Sequence, residues 1–274
     1  MGRREVLDLL AAHGLRPSRA LGQNFVTDAN TERRIARLSG VGPGDHVVEI
    51  GAGLGALTLA LAETGAAVTA VEVDRHLIPV LTSVVAARDV RVVHGDARSL
   101  DWPAVLADAE GWALVANLPY NVATPLVLEL LEGVAPIERM LVMVQREVGE
   151  RLAARVGDDA YGAVSVKVGY WATASVVGRV PPTVFVPQPR VESALVAIER
   201  RPAPAVDVPY REFEALVRAG FATRRKMLRR ALAGIVAPEA FEAAAVDPAA
   251  RAEELDVAAW GRLTACASKR PEPS

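Results

Sequence analysis

From Asp45 to about Arg200, short apolar runs rich in β-branched residues alternate with segments whose apolar positions recur every three to four residues. The runs His46 to Ile50, Ala67 to Glu72, Val90 to Val93, Trp112 to Ala116 and Met140 to Val144 have the length and residue types of strands. Between them, Leu54 to Glu63, His76 to Ala86, Pro125 to Leu131 and Gln145 to Arg155 carry helical spacing. Such alternation predicts an α/β fold, with a mostly parallel sheet covered on both faces. Two further strands are expected at Ala163 to Tyr170 and Ser193 to Ile198. They flank a proline-rich stretch, Pro181 to Pro189, that cannot lie inside a sheet because proline lacks an amide donor and fixes its own φ.

The pattern changes at Arg200, where Arg201-Pro202-Ala203-Pro204 reads as a linker. Beyond it, Tyr210 to Leu232 places Phe213, Leu216, Val217, Phe221, Met227 and Leu228 at helical spacing, and helical patterns continue to the end. Two domains are therefore expected: residues 1–200, opening with a helical and basic segment at 1–40 that contributes to the cofactor site, and an all-helical domain at 201–274.

Composition narrows the class. Of 274 residues, 51% are hydrophobic and 23% charged, as in folded globular proteins. Cysteine occurs once, at Cys266, which excludes an internal disulfide and a cysteine-rich metal site. Arg3, Arg4, Glu5 and Asp8 interrupt the first ten residues, and no later run approaches the roughly 20 apolar residues of a membrane span. A cytoplasmic protein without metal or membrane partner is expected. The formal net charge of −2 is unlike that of a nucleic-acid binder, but its distribution changes the picture. Between Arg200 and Arg230 nine basic residues face three acidic ones, a local charge of +6. Arg224, Arg225, Lys226, Arg229 and Arg230 recur there at helical spacing as candidate RNA-binding residues, with a solvated helix face as the alternative. Arg16 and Arg19 are candidates to extend that surface.

The string Val47-Val48-Glu49-Ile50-Gly51-Ala52-Gly53-Leu54-Gly55-Ala56 reads as strand, glycine turn and helix start. Glycines let the chain turn sharply and let a ligand approach backbone amides. Gly51, Gly53 and Ala56 also satisfy the dinucleotide fingerprint, so the turn by itself does not choose a ligand. The acids do. Glu72 ends the next strand, where a carboxylate accepts ribose hydroxyls for either cofactor. Glu49 stands just before the glycines, where it would repel a pyrophosphate but attract the ammonium and sulfonium of S-adenosylmethionine. Asp96 follows the third strand and can accept from an adenine amine.

Asn117-Leu118-Pro119-Tyr120-Asn121 follows the fourth strand. An adenine exocyclic amine is a poor nucleophile, because its lone pair is delocalised into the ring. Two acceptors that hold its protons draw the nitrogen toward tetrahedral geometry and aim the lone pair at a methyl carbon. The Asn117 side-chain oxygen and the Leu118 carbonyl are the candidate acceptors, Pro119 stiffens the turn, and Tyr120 offers a face for a flipped-out base. The plainer alternative is an ordinary turn, in which Asn and Pro are both common.

Leu21-Gly22-Gln23-Asn24-Phe25, Glu49 to Gly55, Asn117 to Asn121, and Phe185-Val186-Pro187-Gln188-Pro189-Arg190-Val191-Glu192-Ser193 occur in that order. Together they resemble the bacterial small-subunit (16S) rRNA adenine N6,N6-dimethyltransferases, from about Gly14 to Leu263. The related large-subunit methyltransferases that confer macrolide resistance share the cofactor core, but Asn117 to Asn121 and Val246 to Glu253 look more like the small-subunit enzymes. The resemblance implies a class I S-adenosylmethionine-dependent methyltransferase domain, Rossmann-like, with a helical C-terminal domain that binds rRNA. It implies dimethylation of two adjacent adenosines in a hairpin loop near the 3′ end of 16S rRNA, within the immature 30S subunit. By position, Asn24, the Val26 backbone, Gly51, Gly53, Glu72, Asp96 and Asn117 match cofactor contacts, and Tyr120 with Phe185 matches the aromatic pair that holds the target base. Val26 stands where leucine is usual. Phe185 read without the resemblance is a core plug, since Phe is usually buried.

Overall fold

The computed structural model describes residues 1–268 apart from Arg19, Asn121 and Arg224; the expectations placed on those three lie outside the described residues. The strands in chain order are β1 (Phe25–Val26), β2 (His46–Ile50), β3 (Ala67–Glu72), β4 (Val90–His94), β5 (Trp112–Asn117), β6 (Ile137–Gln145), β7 (Ala172–Val180), β8 (Phe185–Val186) and β9 (Ser193–Arg200). Helices α1 (Arg3–Ala12), α2 (Ala29–Ser39), α3 (Ala56–Ala62), α4 (Ile78–Val85), α5 (Trp102–Val105), α6 (Ala123–Gly133), α7 (Arg146–Ala153) and α8 (Ala163–Trp171) fall within the first 171 residues. Past the linker come α9 (Tyr210–Ala222), α10 (Leu228–Ala231), α11 (Pro238–Ala243) and α12 (Val257–Ser268).

Seven strands form one sheet in the order β4-β3-β2-β5-β6-β9-β7. Strands β2 to β6 pair in parallel and β9 runs antiparallel to β6. Neighbouring residues on β2 point to opposite faces, yet Val47 and Val48 are both fully buried, because helices cover both sides. On one face α2 and α3 supply Ile35, Leu57 and Leu61 against Val47, Val115 and Leu141. Local signals set the helix limits. Asp28 caps α2 by accepting from the Thr31 amide at 2.9 Å, a contribution of about 1 kcal/mol, and Gly40 ends it at φ 66°. The chain leaves β2 toward β3 and β4 on one side and returns to β5 on the other, so the sheet's switch point lies between the C-terminal ends of β2 and β5.

The proline-rich stretch stays out of this sheet. Its two-residue strand β8 pairs antiparallel with β1, Phe25 opposite Val186 and Val26 opposite Phe185. Thr27 strengthens the link by donating both its amide and its hydroxyl to the Val184 carbonyl, at 2.7 and 2.9 Å.

The chain divides into two compact units, Met1–Glu150 with Ser175–Arg200, and Arg151–Ala174 with the residues from Arg201 onward. The excursion Arg151–Ala174, expected in the first domain, thus belongs with the helical unit, because Tyr161, Val166 and Tyr170 bury themselves in a core with Phe213, Leu216, Trp260 and Leu263. The strand expected at Ala163 to Tyr170 is helix α8, and the strand of this region is β7 directly after it. With Ser165, Val166, Val168 and Tyr170 all buried, apolar positions do not fall on one face, and periodicity has nothing to distinguish. The run Tyr210 to Leu232 is not one helix either: α9 stops at Ala222, and Arg225 and Lys226 lie between it and α10. Among the described residues no helix is long and apolar enough to cross a membrane.

Candidate active site

A cleft opens over the C-terminal ends of β2, β3 and β5, at the switch point. Its lining includes Asn24, Val26, Glu49, Gly51, Gly53, Glu72, Asn117, Leu118, Pro119 and Tyr120, so residues scattered over nearly a hundred positions converge. The turn after β2 admits little but glycine. Gly53 sits at φ 58°, and a Cβ there would meet the Phe25 ring at 3.1 Å.

Two buried carboxylates stand beside this turn. Glu72, at the end of β3, accepts from the Gly53 amide at 2.7 Å through one oxygen and from the Asp74 amide at 2.8 Å through the other. Burial raises its pKa, and these amide bonds oppose the rise. Each oxygen keeps a lone pair for a further donor. Glu49 is enclosed at 2% exposure and accepts from the Thr58 hydroxyl of α3 at 2.5 Å. Burial pushes its carboxyl up to about 8, with the nearby Glu72 charge adding to the rise. At neutral pH Glu49 is therefore largely neutral, and a cation placed against it would draw it into the ionised form. The standing negative charge expected from sequence is thus conditional on a cation beside it.

On the β5 side, the Asn117 side-chain amide donates to the Asn24 carbonyl at 3.1 Å. This fixes the amide plane and leaves the Asn117 oxygen as an acceptor. Leu118 donates its amide to the Met143 carbonyl at 3.0 Å, while its own carbonyl takes no backbone donor among the described residues. Pro119 accepts from the Val122 and Ala123 amides and so launches α6. Tyr120 is half-buried, with its hydroxyl 3.0 Å from that of Ser193. Gln23 pins the segment before β1, accepting from the Ser18 amide at 2.8 Å and donating to Asp74 at 2.9 Å.

Asp96 lies in an adjoining hollow that shares Leu21, Gly51, Val73 and Pro119 with the cleft. Its side chain is exposed, and it accepts from the Arg98 amide at 3.0 Å. Phe185 does not join the site. It is fully buried in the core with Ile35, Val47, Leu57 and Leu195, fixed there by the pairing of β8 with β1, and has no free face for a base. Sequence reasoning missed Thr58, although a lone hydroxyl within Ala56-Leu57-Thr58-Leu59-Ala60-Leu61-Ala62 marks the position facing Glu49.

The basic segment also changes. Arg200, counted with it by sequence, instead donates to the carbonyls of Leu130, Leu131 and Val134, where α6 ends, and of Ile137, where β6 begins, at 2.7–3.1 Å. Arg225, Lys226, Arg229 and Arg230 are exposed, and no ion pair engages them among the described residues.

The carboxylates, the glycine turn and the absence of a cationic side chain from the cleft lining among the described residues fit a cationic, phosphate-free cofactor. A family model described as ribosomal RNA adenine dimethylase matches residues 15–269. The chain is 49% identical to ribosomal RNA small subunit methyltransferase A of Kineococcus radiotolerans, over 96% of this chain and 90% of that protein. It is 48% identical to the protein of the same name from Thermobifida fusca, over 94% and 93%. Among solved structures, a dimethyladenosine transferase from Plasmodium falciparum superposes with a TM-score of 0.75 at 21% identity, covering 87% of this chain and 95% of that one. The 23S rRNA methyltransferase ErmE superposes with a TM-score of 0.70 at 25% identity, covering 89% and 100%.

Proposed function

The chain belongs to the ribosomal RNA adenine dimethylase family, and we propose that it dimethylates the N6 amines of two adjacent adenosines in a hairpin loop near the 3′ end of 16S rRNA. Its substrate is the immature 30S subunit in the cytoplasm, and it acts as a monomer. The observation that carries the reading is the Asn117 amide, whose nitrogen is committed to the Asn24 carbonyl and whose oxygen is thereby presented as an acceptor at the end of β5.

S-adenosylmethionine, when bound, supplies a methyl group on a positively charged sulfur. Glu72 would hold the ribose hydroxyls, Asp96 the adenine amine, and Glu49 would face the cationic end. Gly51, Gly53, Asn24 and Val26 bring backbone close to the ligand. The Asn117 oxygen and the Leu118 carbonyl accept hydrogen bonds from the two N–H groups of the target amine and so orient its lone pair, while Tyr120 stacks on the flipped base. No strong general base is required, because transfer to a neutral amine gives a cation that sheds its proton afterwards. Rate then comes from position and from preorganised dipoles. In the helical unit, Arg225, Lys226, Arg229 and Arg230 meet rRNA phosphates.

The direct test incubates the protein with labelled S-adenosylmethionine and undermethylated 30S particles, then digests the rRNA to nucleosides. Label in N6,N6-dimethyladenosine of 16S rRNA is expected. Label confined to 23S rRNA would instead place the chain with the activity named for ErmE.

A further inference from the structure

Ser193 is the first residue of β9, opposite Gln145 of β6, and is fully buried. A strand inside a sheet rarely buries a hydroxyl without a partner, since an unpaired one is costly there. Its oxygen lies 3.0 Å from the Tyr120 hydroxyl, 73 residues earlier in the chain. Tyr120 itself stands in the turn beyond β5, where no helix or strand restrains it, and its ring lines the cleft. A ring in that position has two free torsions. The bond to Ser193 is the one side-chain hydrogen bond of Tyr120 among the described residues, and it joins a turn outside the regular elements to β9, a strand flanked by β6 and β7.

We infer that Ser193 is a positioning residue, whose hydroxyl tethers the phenol of Tyr120 and so fixes the plane of the ring on which the target adenine stacks. The inference rests on the reading of Tyr120 as the stacking face. It explains why a serine ends the proline-rich stretch: β8 is tied to β1 beside the glycine turn, and Ser193 at the other end of the same loop reaches the substrate side. The loop thereby links the cofactor and base halves of the cleft. Removing the tether leaves the aromatic face in place but lets it tilt, and misplacement on the scale of an ångström lowers the rate of a positioned reaction by up to about a hundredfold.

The experiment measures single-turnover methyl transfer to undermethylated 30S particles, together with particle affinity, S-adenosylmethionine affinity and Tm, for Ser193→Ala, Tyr120→Phe, their double variant and Tyr120→Ala. Ser193→Ala and Tyr120→Phe each should slow transfer roughly tenfold, as loss of one hydrogen bond does, with both affinities close to wild type; Tm should hold in Ser193→Ala and fall in Tyr120→Phe, which leaves the buried Ser193 hydroxyl unpaired. The double variant should be no slower than either single one, because both remove the same bond. Multiplying losses, or wild-type rates in Ser193→Ala, would overturn the tether. If Ser193→Ala does not fold, Tyr120→Phe breaks the same bond from the exposed side and decides the question. Tyr120→Ala separates the two readings: a normal rate there removes the stacking role itself, whereas a slow Tyr120→Ala beside a normal Tyr120→Phe removes the tether alone.

Discussion

In the cleft, four side chains assigned to chemistry are each held by a partner, whereas among the described residues no ion pair holds Arg225, Lys226, Arg229 or Arg230 of the helical unit. Glu49 is bonded to Thr58, Glu72 to two backbone amides, Asn117 to the Asn24 carbonyl and Tyr120 to Ser193. Arg225, Lys226, Arg229 and Arg230 project into solvent from a loop and a four-residue helix. Under the proposed function, the difference follows from what each surface would recognise. Aiming a nitrogen lone pair at one carbon requires groups already in place, so that little reorganisation remains at the moment of transfer. Phosphates along a folded RNA tolerate long flexible cations, because the attraction depends on charge and counterion release more than on angle. Substitutions should therefore act differently in the two regions: on rate or stability in the cleft, and on salt dependence in the basic segment.

Phe185 is the position where this contrast is easiest to break. It belongs to the held side, but to its packing and not to its chemistry. Phe185→Ala should cost about 3–5 kcal/mol of stability, as loss of a fully buried Phe does, and should lower Tm before it lowers the rate of the remaining folded protein. Phe185→Leu should restore most of the stability and activity together. An Ala variant with normal Tm and no activity would return Phe185 to the base-holding role implied by the family resemblance.

Asn117→Ala comes next. Loss of one preorganised polar group at a reacting centre typically costs a factor of about 10² to 10³ in kcat. Tm should barely move, since the partner released is a single carbonyl in a partly open cleft. Stopped-flow or quench measurement of single turnover checks this. A near-normal rate would show that the acceptor is supplied elsewhere.

Glu49 sharpens the comparison by pH. Its folded pKa of about 8 lies above the ordinary 4.5, so its burial in neutral form contributes stability that is fully present below about 4.5 and is lost as pH rises through about 8. Glu32, pushed up to about 7 by burial, acts in the same sense. The difference between the wild type and Glu49→Gln isolates Glu49. Cofactor affinity has the opposite slope. A cation against Glu49 favours ionisation and so releases a proton, and calorimetric affinity for S-adenosylmethionine should rise by up to about tenfold per pH unit until pH 8. In Glu49→Gln both slopes should flatten. An equal slope in that variant would assign the proton to another group.

The five parallel strands were legible from their β-branched runs, and the convergence at their ends because three of them close on a chemically distinctive residue: Glu49, Glu72 and Asn117 are the last or nearly last residues of β2, β3 and β5. Helix α8 was not legible, because burial on several sides erased its periodicity and left only residue types that favour strands. Phe185 was misjudged for a related reason. The motif names the residue, but exposure depends on the pairing of β8 with β1, two strands of two residues each that carry no periodic signal. Glu49 lines the cleft where sequence spacing puts it, but its protonation without a ligand was not legible, since its pKa depends on an enclosure that only the folded chain creates.

The smallest effect distinguishes a charge in the sequence from a charge available to RNA. Arg200 and Lys226 count equally in the local charge, yet Arg200 is bonded to four carbonyls between the end of α6 and the start of β6, and Lys226 is free of ion pairs among the described residues. Lys226→Ala should reduce the slope of log affinity against log salt by about 0.7–0.9, the share of one phosphate contact, and leave Tm unchanged. Arg200→Ala should lower Tm, because buried carbonyls lose their donors, and should leave the salt slope as it was. Filter binding to undermethylated 30S particles across a salt series, beside thermal melts, reads both. If the two variants shift the slope alike, Arg200 is not confined to its cap, and the division between held and free charges fails at the residue where sequence and structure disagree most.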